Sequence, residues 1–223
     1  MRHVVIAIDG PAASGKSSVA RALAQRLGFL YVNTGAMYRA VTWHAVTHGV
    51  SPGDPAEVAA LFERTDIQCG CSDRASTITI DGADPTAHLV SDAVNANVSA
   101  VAAVPYVRQR LVALQRAYSA EHDLVMEGRD IGSTVFPETP FKFYIDASPE
   151  VRALRRQRQG LQDSIAARDR VDSSRRTSPL TIAEDAHVID SSNLTVDGVV
   201  GEIVGRLKLK GLEIAEVVSS VRQ

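Results

Sequence analysis

The sequence predicts an α/β protein in which a mostly five-stranded parallel sheet lies between two layers of helices. Five short apolar runs have the length and composition of buried strands, and helical patterns separate them. Four of these runs end in polar residues, and ligands of such sheets bind beyond the carboxyl ends of the strands. We therefore expect the four ends to share one cleft. The runs are residues 4–8, 29–32, 124–126, 141–145 and 187–189, and the polar ends are residues 9–10, 33–35, 127–130 and 190–192.

Length and composition are typical of one globular enzyme domain. The chain has 223 residues, 45% hydrophobic and 22% charged, with a formal net charge of −2. That charge balance and an aromatic content of 5% do not favour a nucleic-acid partner. No apolar run approaches the length of a membrane span, so we expect no membrane partner. Cys69 and Cys71 have no second ligand pair, so we interpret them as small, mostly buried residues of a cytoplasmic protein.

The segment Gly10-Pro11-Ala12-Ala13-Ser14-Gly15-Lys16-Ser17 matches the pattern GxxxxGK[ST]. It follows the first predicted strand and precedes an alanine- and leucine-rich helical run, which is the setting of a phosphate-binding loop. Backbone N–H groups and the helix N-terminus would bind the phosphates, Lys16 would reach the β- and γ-phosphates, and Ser17 would bind Mg²⁺. The predicted architecture is therefore a three-layer P-loop NTPase fold with a nucleoside triphosphate ligand.

An arginine-rich stretch predicts a second anion site. Eight arginines and no lysine lie between residues 152 and 176, and guanidinium groups match phosphate oxygens in pairs. Arg168, Asp172 and Arg175 have helical spacing, so one face would carry two cations and a carboxylate suited to a phosphate and a ribose hydroxyl. A solvated helix with Arg–Asp pairs is the alternative. The phosphate loop favours the anion site, because transfer between two anions requires cations.

Other polar residues near the predicted strand ends are less specific. We expect Arg39 and Arg129 to reach the cleft, whereas Asp130 could serve either substrate or metal-bound water. Asn33 and Thr34 are equally compatible with a helix N-cap. His44 and His48 have helical spacing but no visible third ligand, so we predict no metal site there.

The predicted organisation is a single domain over residues 1–223. Its core comprises residues 1–62, 86–151 and 177–223. Short alternating runs at about 63–85 predict a small antiparallel insertion, which is a candidate substrate flap. The arginine-rich residues from about 152 to 176 predict a short helical lid.

Motifs along nearly the whole chain resemble the bacterial cytidylate kinases, a group of P-loop nucleoside monophosphate kinases. They begin with the phosphate loop and its preceding Ile8-Asp9, and they end at Val188-Ile189-Asp190-Ser191-Ser192. Between them lie Thr34-Gly35-Ala36-Met37-Tyr38-Arg39, Val104-Pro105-Tyr106-Val107-Arg108, Glu127-Gly128-Arg129-Asp130-Ile131-Gly132, Val135-Phe136-Pro137, residues 168–175 and Ser178-Pro179-Leu180.

The resemblance implies ATP-dependent phosphorylation of CMP and dCMP to CDP and dCDP in pyrimidine nucleotide metabolism. It implies Mg²⁺, a monomer in the cytoplasm, an insertion that binds the monophosphate and a lid that closes over the phosphates. Implied catalytic residues are Lys16, Arg129 and Arg175, and implied ATP-binding residues are Gly10, Pro11, Ala12, Ala13, Ser14, Gly15, Lys16, Ser17 and Ser18. Implied substrate-binding residues are Thr34, Tyr38, Arg39, Ser99, Arg108, Arg129, Asp130, Arg168, Asp172 and Arg175.

Within that list, Thr34, Ser99, Arg108 and Asp130 would recognise cytosine. Asp172 with Arg168 would hold the ribose, and Arg39, Arg129 and Arg175 would bind the acceptor phosphate. The resemblance does not assign which of Arg152, Arg155 and Arg156 reaches the donor phosphates. Asn33 stands where the family usually has aspartate, which places more of the Mg²⁺ site on Ser17, and Ser133-Thr134 replaces the usual Thr-Val.

Two other functions are compatible with a phosphate loop. One is a kinase for a different monophosphate, such as UMP or AMP, and base recognition would distinguish it. The other is a nucleotide-hydrolysing switch, but the chain has no NKxD guanine-reading motif. A switch also has no anionic acceptor, so it would not explain the arginine-rich stretch.

Overall fold

The computed structural model of the chain describes residues 3–158 and 180–214. Arg168, Asp172, Arg175 and most of the predicted lid lie outside this range. Seven strands are present in the described part: β1 Val5–Asp9, β2 Leu30–Asn33, β3 Ile67–Ser72, β4 Ala75–Ile80, β5 Leu124–Gly128, β6 Phe141–Asp146 and β7 His187–Asp190. The helices are α1 Lys16–Leu27, α2 Thr34–Thr47, α3 Pro55–Glu63, α4 Asp92–Val101, α5 Pro105–Ala117, α6 Pro149–Arg158 and, after the undescribed segment, α7 Val196–Leu209.

The five predicted strands form one parallel sheet in the order β2-β5-β1-β6-β7. Strand β1 at its centre is buried along its whole length. Ile6 and Ile8 belong to the core on one face of the sheet, whereas Val5 and Ala7 belong to the core on the other. Burial on both faces explains why this strand is a continuous apolar run instead of an alternating pattern.

Helices cover both faces of the sheet, as predicted. Helices α1 and α7 pack on one face through an apolar cluster that includes Leu23 and Ile203. On the other face Met126 packs with Tyr118 and Ile131, and a neighbouring cluster joins α2 to α5 around Phe62. The three-layer α/β prediction is confirmed.

The predicted antiparallel pair consists of β3 and β4, and its turn has Asp73 and Arg74 at positive φ angles of 49° and 59°. Strand β4 also pairs in parallel with β2 between Ala75 and Tyr31, so the hairpin extends the same sheet to seven strands. The prediction that both cysteines are mostly buried is wrong for Cys71, which is exposed, while Cys69 is half-buried. Strand β3 is an edge strand, so one of its faces is only partly covered.

Strand register brings the polar ends to one edge of the sheet. Glu127 lies opposite both Ile8 and Asn33, and Asp9 lies opposite Gly128. Asn33 also caps α2, because its side chain accepts a hydrogen bond from Ala36 N at 3.0 Å. None of the helices in residues 3–158 and 180–214 is both long and apolar enough to cross a membrane.

Candidate active site

Backbone geometry shapes the loop between β1 and α1. A Cβ atom at Gly10 would lie 2.1 Å from the carbonyl oxygen of Ile145, so no larger residue fits there without movement of β6. Ala13 adopts a left-handed conformation with φ of 60°, and Gly15 has φ of 91°. A left-handed non-glycine residue is uncommon and tends to occur at ligand-binding turns. The loop therefore has the tight curvature that phosphate binding requires.

Lys16 is the first residue of α1 and lies at the positive end of the helix dipole. Its side chain is buried, and Nζ donates a hydrogen bond to the carbonyl oxygen of Pro11 at 3.0 Å across the loop. Ser17 and Ser18 follow on the exposed side of the same turn. The ammonium group, the helix terminus and a hydroxyl group are therefore adjacent, which is the set of groups that a nucleotide phosphate and its metal require.

A main cleft opens beside this loop, at the carboxyl ends of β2 and β5. It is lined by most of the residues that the sequence singled out and by Arg156 of helix α6. Gly10, Pro11 and Ser14 belong to the loop but do not line the cleft, and neither does any residue of the β3–β4 hairpin among those the structure describes. The predicted residues that do line it are Ala12, Ala13, Gly15, Lys16, Ser17, Ser18, Thr34, Tyr38, Arg39, Ser99, Arg108, Arg129 and Asp130.

Arg108 and Asp130 form a buried ion pair at one end of the main cleft. Arg108 also donates to the carbonyl oxygen of Ala102 at 3.3 Å, and its guanidinium carbon lies 5.6 Å from the centre of the Tyr38 ring. Thr34 is held nearby because its hydroxyl donates to the carbonyl oxygen of Glu127 at 2.8 Å. This end of the cleft presents charged hydrogen-bonding groups in fixed orientations, which suits recognition of a polar ring.

Arg129 connects the two sides of the main cleft. It follows β5 directly, and its guanidinium group donates to the carbonyl oxygen of Gly10 at the start of the phosphate loop. Arg39 projects from α2 into the same cleft and is half-buried. The cleft therefore combines Lys16 with arginines from α2, α5 and the end of β5.

A second cavity lies on the opposite side of the phosphate loop. It is bordered by Arg155, Ser191 and the apolar residues Leu194, Val196 and Val199. The prediction that all four polar strand ends share one cleft is therefore wrong for residues 190–192, because Ser191 borders this second cavity. It is also wrong for residues 9–10, which do not line the main cleft. Ala13, Gly15 and Ser18 border both spaces, so the two meet at the phosphate loop. The Ser191 hydroxyl donates to the carbonyl oxygen of Ser14 in this loop at 2.8 Å.

The arginines of α6 divide between these two spaces. Arg152 donates to the carbonyl oxygens of Ala147 and Ala12 at 3.1 and 3.3 Å. Arg155 contacts the phosphate loop and borders the second cavity, whereas Arg156 is buried and lines the main cleft with Lys16. Helix α6 thus reaches both cavities from the start of the predicted lid.

Two acidic residues near the site were not singled out by the sequence analysis. Glu127 is buried at the end of β5, lines the main cleft and accepts a hydrogen bond from the Tyr31 hydroxyl at 3.2 Å. Asp9 is buried beneath the loop, where its carboxylate accepts hydrogen bonds from Ile131 N and Gly132 N. Both belonged to the polar strand ends, and the sequence pattern alone does not show that they are buried.

Of the two histidines, His44 belongs to the core around α2, whereas His48 is exposed at the C-terminal end of that helix. His44 is buried, with Nε2 at 3.3 Å from Thr65 Oγ1 and 3.4 Å from Asp81 Oδ2. Burial lowers the pKa of His44, and the neighbouring His48 lowers it further against the attraction of Asp81. Within residues 3–158 and 180–214, no group of three histidine, cysteine or acidic side chains is placed to hold a metal ion.

Comparison with known proteins agrees with the geometry of the site. The family model described as "Cytidylate kinase" matches residues 6–209. The chain is 45% identical to a cytidylate kinase of Streptomyces avermitilis over 210 residues, which cover 90% of this chain and 91% of that protein. It is 44% identical to a cytidylate kinase of Pelotomaculum thermopropionicum, with 91% and 95% of the two chains covered. The chain therefore belongs to the cytidylate kinase family.

Proposed function

We propose that this protein transfers the γ-phosphoryl group of ATP to CMP or dCMP, giving ADP and CDP or dCDP. The observation that carries the proposal is that the Lys16 loop and Arg39, Arg108, Arg129 and Asp130 line one cleft. A phosphate loop alone fits any nucleotide-binding protein. A second cationic wall opposite it fits an enzyme whose acceptor is itself an anion.

The acceptor occupies the main cleft in this proposal. Arg39 and Arg129 bind its phosphate, because both guanidinium groups reach the space beside Lys16. Arg108, Asp130, Thr34 and Ser99 recognise cytosine. The Arg108–Asp130 ion pair supports this role, because both side chains are buried and held in one orientation. A base that leaves the polar groups of this pair without hydrogen-bond partners would bind weakly.

ATP binds across the phosphate loop, with its base in the second cavity. The residues Leu194, Val196 and Val199 offer apolar contact to an adenine ring there. The phosphates would then extend over Gly15 toward Lys16, because Ala13, Gly15 and Ser18 border both cavities. Arg156 is the α6 arginine that we assign to the transferred phosphate, since it is buried in the wall of the main cleft.

No general base is needed for the reaction. The second pKa of a phosphate monoester is about 6, so the acceptor is mostly a dianion at neutral pH and is already nucleophilic. The chain's own residues position the two anions and disperse their charge, with Lys16 on the donor and Arg39 and Arg129 on the acceptor. Arg168, Asp172 and Arg175 are proposed to complete the site, and they lie outside the described residues.

Mg²⁺ fits the oxygen groups of the main cleft. The Ser17 hydroxyl is exposed at the loop, and the buried Glu127 carboxylate lines the same space. Hydroxyl and carboxylate oxygens are suitable for this ion, either directly or through water. When bound, Mg²⁺ neutralises charge on the donor phosphates. Asn33 lines the same cleft, but its Oδ1 already accepts the hydrogen bond that caps α2.

A coupled assay of ADP release with ATP and Mg²⁺ tests the proposal against each of CMP, dCMP, UMP and AMP. CMP and dCMP should give by far the highest kcat/KM, with CDP or dCDP as product. Preference for UMP or AMP would contradict the assigned base recognition. ATP hydrolysis without any phosphorylated acceptor would instead indicate a nucleotide switch. We also propose that the enzyme acts as a cytoplasmic monomer, which size-exclusion chromatography would test for the oligomeric state.

A further inference from the structure

Asp9 is a buried carboxylate that the proposed reaction does not use directly. It is the last residue of β1, and only 6% of it is exposed. Its oxygens accept hydrogen bonds from two successive backbone N–H groups, Ile131 N on Oδ1 and Gly132 N on Oδ2, both at 2.8 Å. Burial of a carboxylate is unfavourable without such donors. An apolar residue would avoid that cost, so the carboxylate needs an explanation.

A third hydrogen bond joins the same two segments, and its donor again lies in the turn after β5. Arg129 donates to the carbonyl oxygen of Gly10, the residue after Asp9. The start of the phosphate loop and the turn after β5 are therefore connected on both sides of Asp130. Because Arg129 and Asp130 line the main cleft together with Lys16, these hydrogen bonds connect two parts of the cleft wall.

The turn after β5 is also packed tightly from behind. A Cβ atom at Gly132 would lie 3.1 Å from the Lys142 methylene carbons and 3.4 Å from Asp9 Oδ2. The Lys142 ammonium is directed away from Asp9 and donates to Pro137 O at 2.6 Å and to Asp185 at 2.8 Å. Asp9 and the Lys142 side chain therefore both pack against Gly132 and hold the turn in place.

The charges around Asp9 make its hydrogen bonding sensitive to protonation. The pKa of Asp9 is raised to about 7, mainly by burial and to a smaller extent by the nearby Asp130 carboxylate. The two backbone N–H donors and the Lys16 ammonium oppose this rise. A protonated carboxyl group would turn one of its two acceptor oxygens into a hydroxyl that faces an N–H donor.

We propose that Asp9 is a positioning residue for the acceptor: its carboxylate fastens the turn after Asp130 to β1 and so holds Arg129 and Asp130 at a fixed distance from Lys16. The inference rests on the proposed function of the main cleft. It assigns no contact between Asp9 and either nucleotide. Its consequence is that acceptor binding depends on the ionised form of a residue behind the site.

The substitution Asp9→Asn tests the inference with little change in volume. The amide keeps one acceptor oxygen but places an NH₂ group against the second N–H donor. We expect KM for CMP to rise about tenfold, the scale of one lost charge-assisted hydrogen bond, while KM for ATP changes less than about threefold. In wild type, kcat/KM for CMP should fall below about pH 7 as Asp9 becomes protonated. This fall should be absent in Asp9→Asn, whose pH profile should show only the titration of the acceptor phosphate.

Asp123→Asn is the matched control. Asp123 also accepts a hydrogen bond from a backbone N–H, that of Val4 at 2.6 Å, but near the opposite end of β1. This control should leave both KM values and the pH profile unchanged. The inference would be overturned if Asp9→Asn raised the KM values for CMP and ATP equally. It would also be overturned if the variant had an unchanged KM for CMP and an unchanged pH profile. A wild-type protein that does not phosphorylate CMP would instead overturn the proposed function.

A measurement on the unmodified protein covers the case in which Asp9→Asn does not fold. Hydrogen exchange of the Ile131 and Gly132 amides is expected to give protection factors that decrease as the pH falls below about 7. The protection factors are corrected for the intrinsic pH dependence of exchange. Protection of both amides that stays constant from pH 8 to pH 6 would overturn the inference without any reference to catalysis.

Discussion

Arg155 and Ser191 are joined by two hydrogen bonds that enclose the phosphate loop from behind. Arg155 donates to Ser191 Oγ at 3.0 Å and to Ser191 O at 2.8 Å, and it also donates to Ser14 O at 3.1 Å. The Ser191 hydroxyl in turn donates to Ser14 O at 2.8 Å. Helix α6 at the start of the predicted lid, the residue after β7 and the phosphate loop are therefore joined by hydrogen bonds.

Replacing Arg155 with methionine should weaken ATP binding more than CMP binding. The variant keeps most of the side-chain length but loses three hydrogen bonds, one of them to the phosphate loop. We expect KM for ATP to rise about tenfold or more and KM for CMP to change little, as measured by steady-state kinetics. Arg26→Met on the exposed face of α1 is the control. Equal effects on the two substrates would contradict this role.

Lys16→Ala should abolish most of the catalysis without unfolding the protein. The ammonium lies at the start of α1 beside the proposed site of transfer, where removal of one electrostatic contact typically costs about 10²–10³ in kcat. The rate is measured under saturating ATP and CMP, and circular dichroism checks the fold. Lys208→Ala on α7 should retain wild-type turnover. Near-normal turnover of Lys16→Ala would exclude Lys16 from catalysis.

The Arg108–Asp130 pair should show strong coupling in stability and in acceptor binding. Asp130→Asn leaves the Arg108 guanidinium buried without its counter-charge, and breaking a buried pair in this way costs about 3–5 kcal/mol. Urea unfolding measures that loss, and KM for CMP should rise with it. The double variant Arg108→Met/Asp130→Asn should recover part of the stability but none of the CMP affinity. Additive losses of stability would contradict the coupling.

Two glycine substitutions should have opposite effects on stability. A Cβ atom at Gly128 would lie 2.7 Å from both Thr34 Oγ1 and a carbon of Ile131, so Gly128→Ala should destabilise the protein and displace the strand end. Gly201 lies inside α7 with nothing within 4 Å of such an atom. Gly201→Ala should therefore stabilise the protein by about 0.5–1 kcal/mol. Thermal unfolding of the two variants compares them directly.

His44 should make stability fall in mild acid. Its folded-state pKa is lowered from 6.5, so the unfolded chain binds the proton more readily, and stability is lost as the pH falls below about 6.5. The free energy of unfolding is measured for wild type and for His44→Gln at each pH, and the variant's value is subtracted. This difference should decrease toward pH 5.5, by at most about 1.4 kcal/mol per pH unit. Asp9 is present in both proteins, so its contribution cancels. A pH-independent difference would contradict the assignment.

The sequence predicted the sheet well because β1, β2, β5 and β6 are almost entirely buried and are separated by helices. Residues 4–8 and 141–145 formed strands within one residue of the expected bounds. Whether the β3–β4 hairpin joins the main sheet could not be predicted, because that depends on the short parallel contact between Tyr31 and Ala75. The exposure of Cys71 follows from the edge position of β3, which local sequence does not encode.

The candidate site was predictable where the chemistry lies in a contiguous motif. The phosphate loop and the residues after β2 and β5 line one cleft as expected, because parallel strands bring their carboxyl ends together. The separation of Ser191 from that cleft depends on the path of the loop between the two cavities. The burial of Glu127 and Asp9 likewise requires coordinates, because exposed acids at strand ends have the same sequence pattern.

The loop that divides the two cavities has a consequence for inhibitor design. A compound confined to the space beside Leu194 and Val199 should compete with ATP alone, and one confined to the space beside Arg108 should compete with CMP alone. A molecule that spans Gly15, or one that fills the main cleft beside Lys16, should exclude both nucleotides at once. The inhibition pattern of an uncharacterised compound against ATP and against CMP would therefore show which of the two cavities it occupies, before any complex is crystallised.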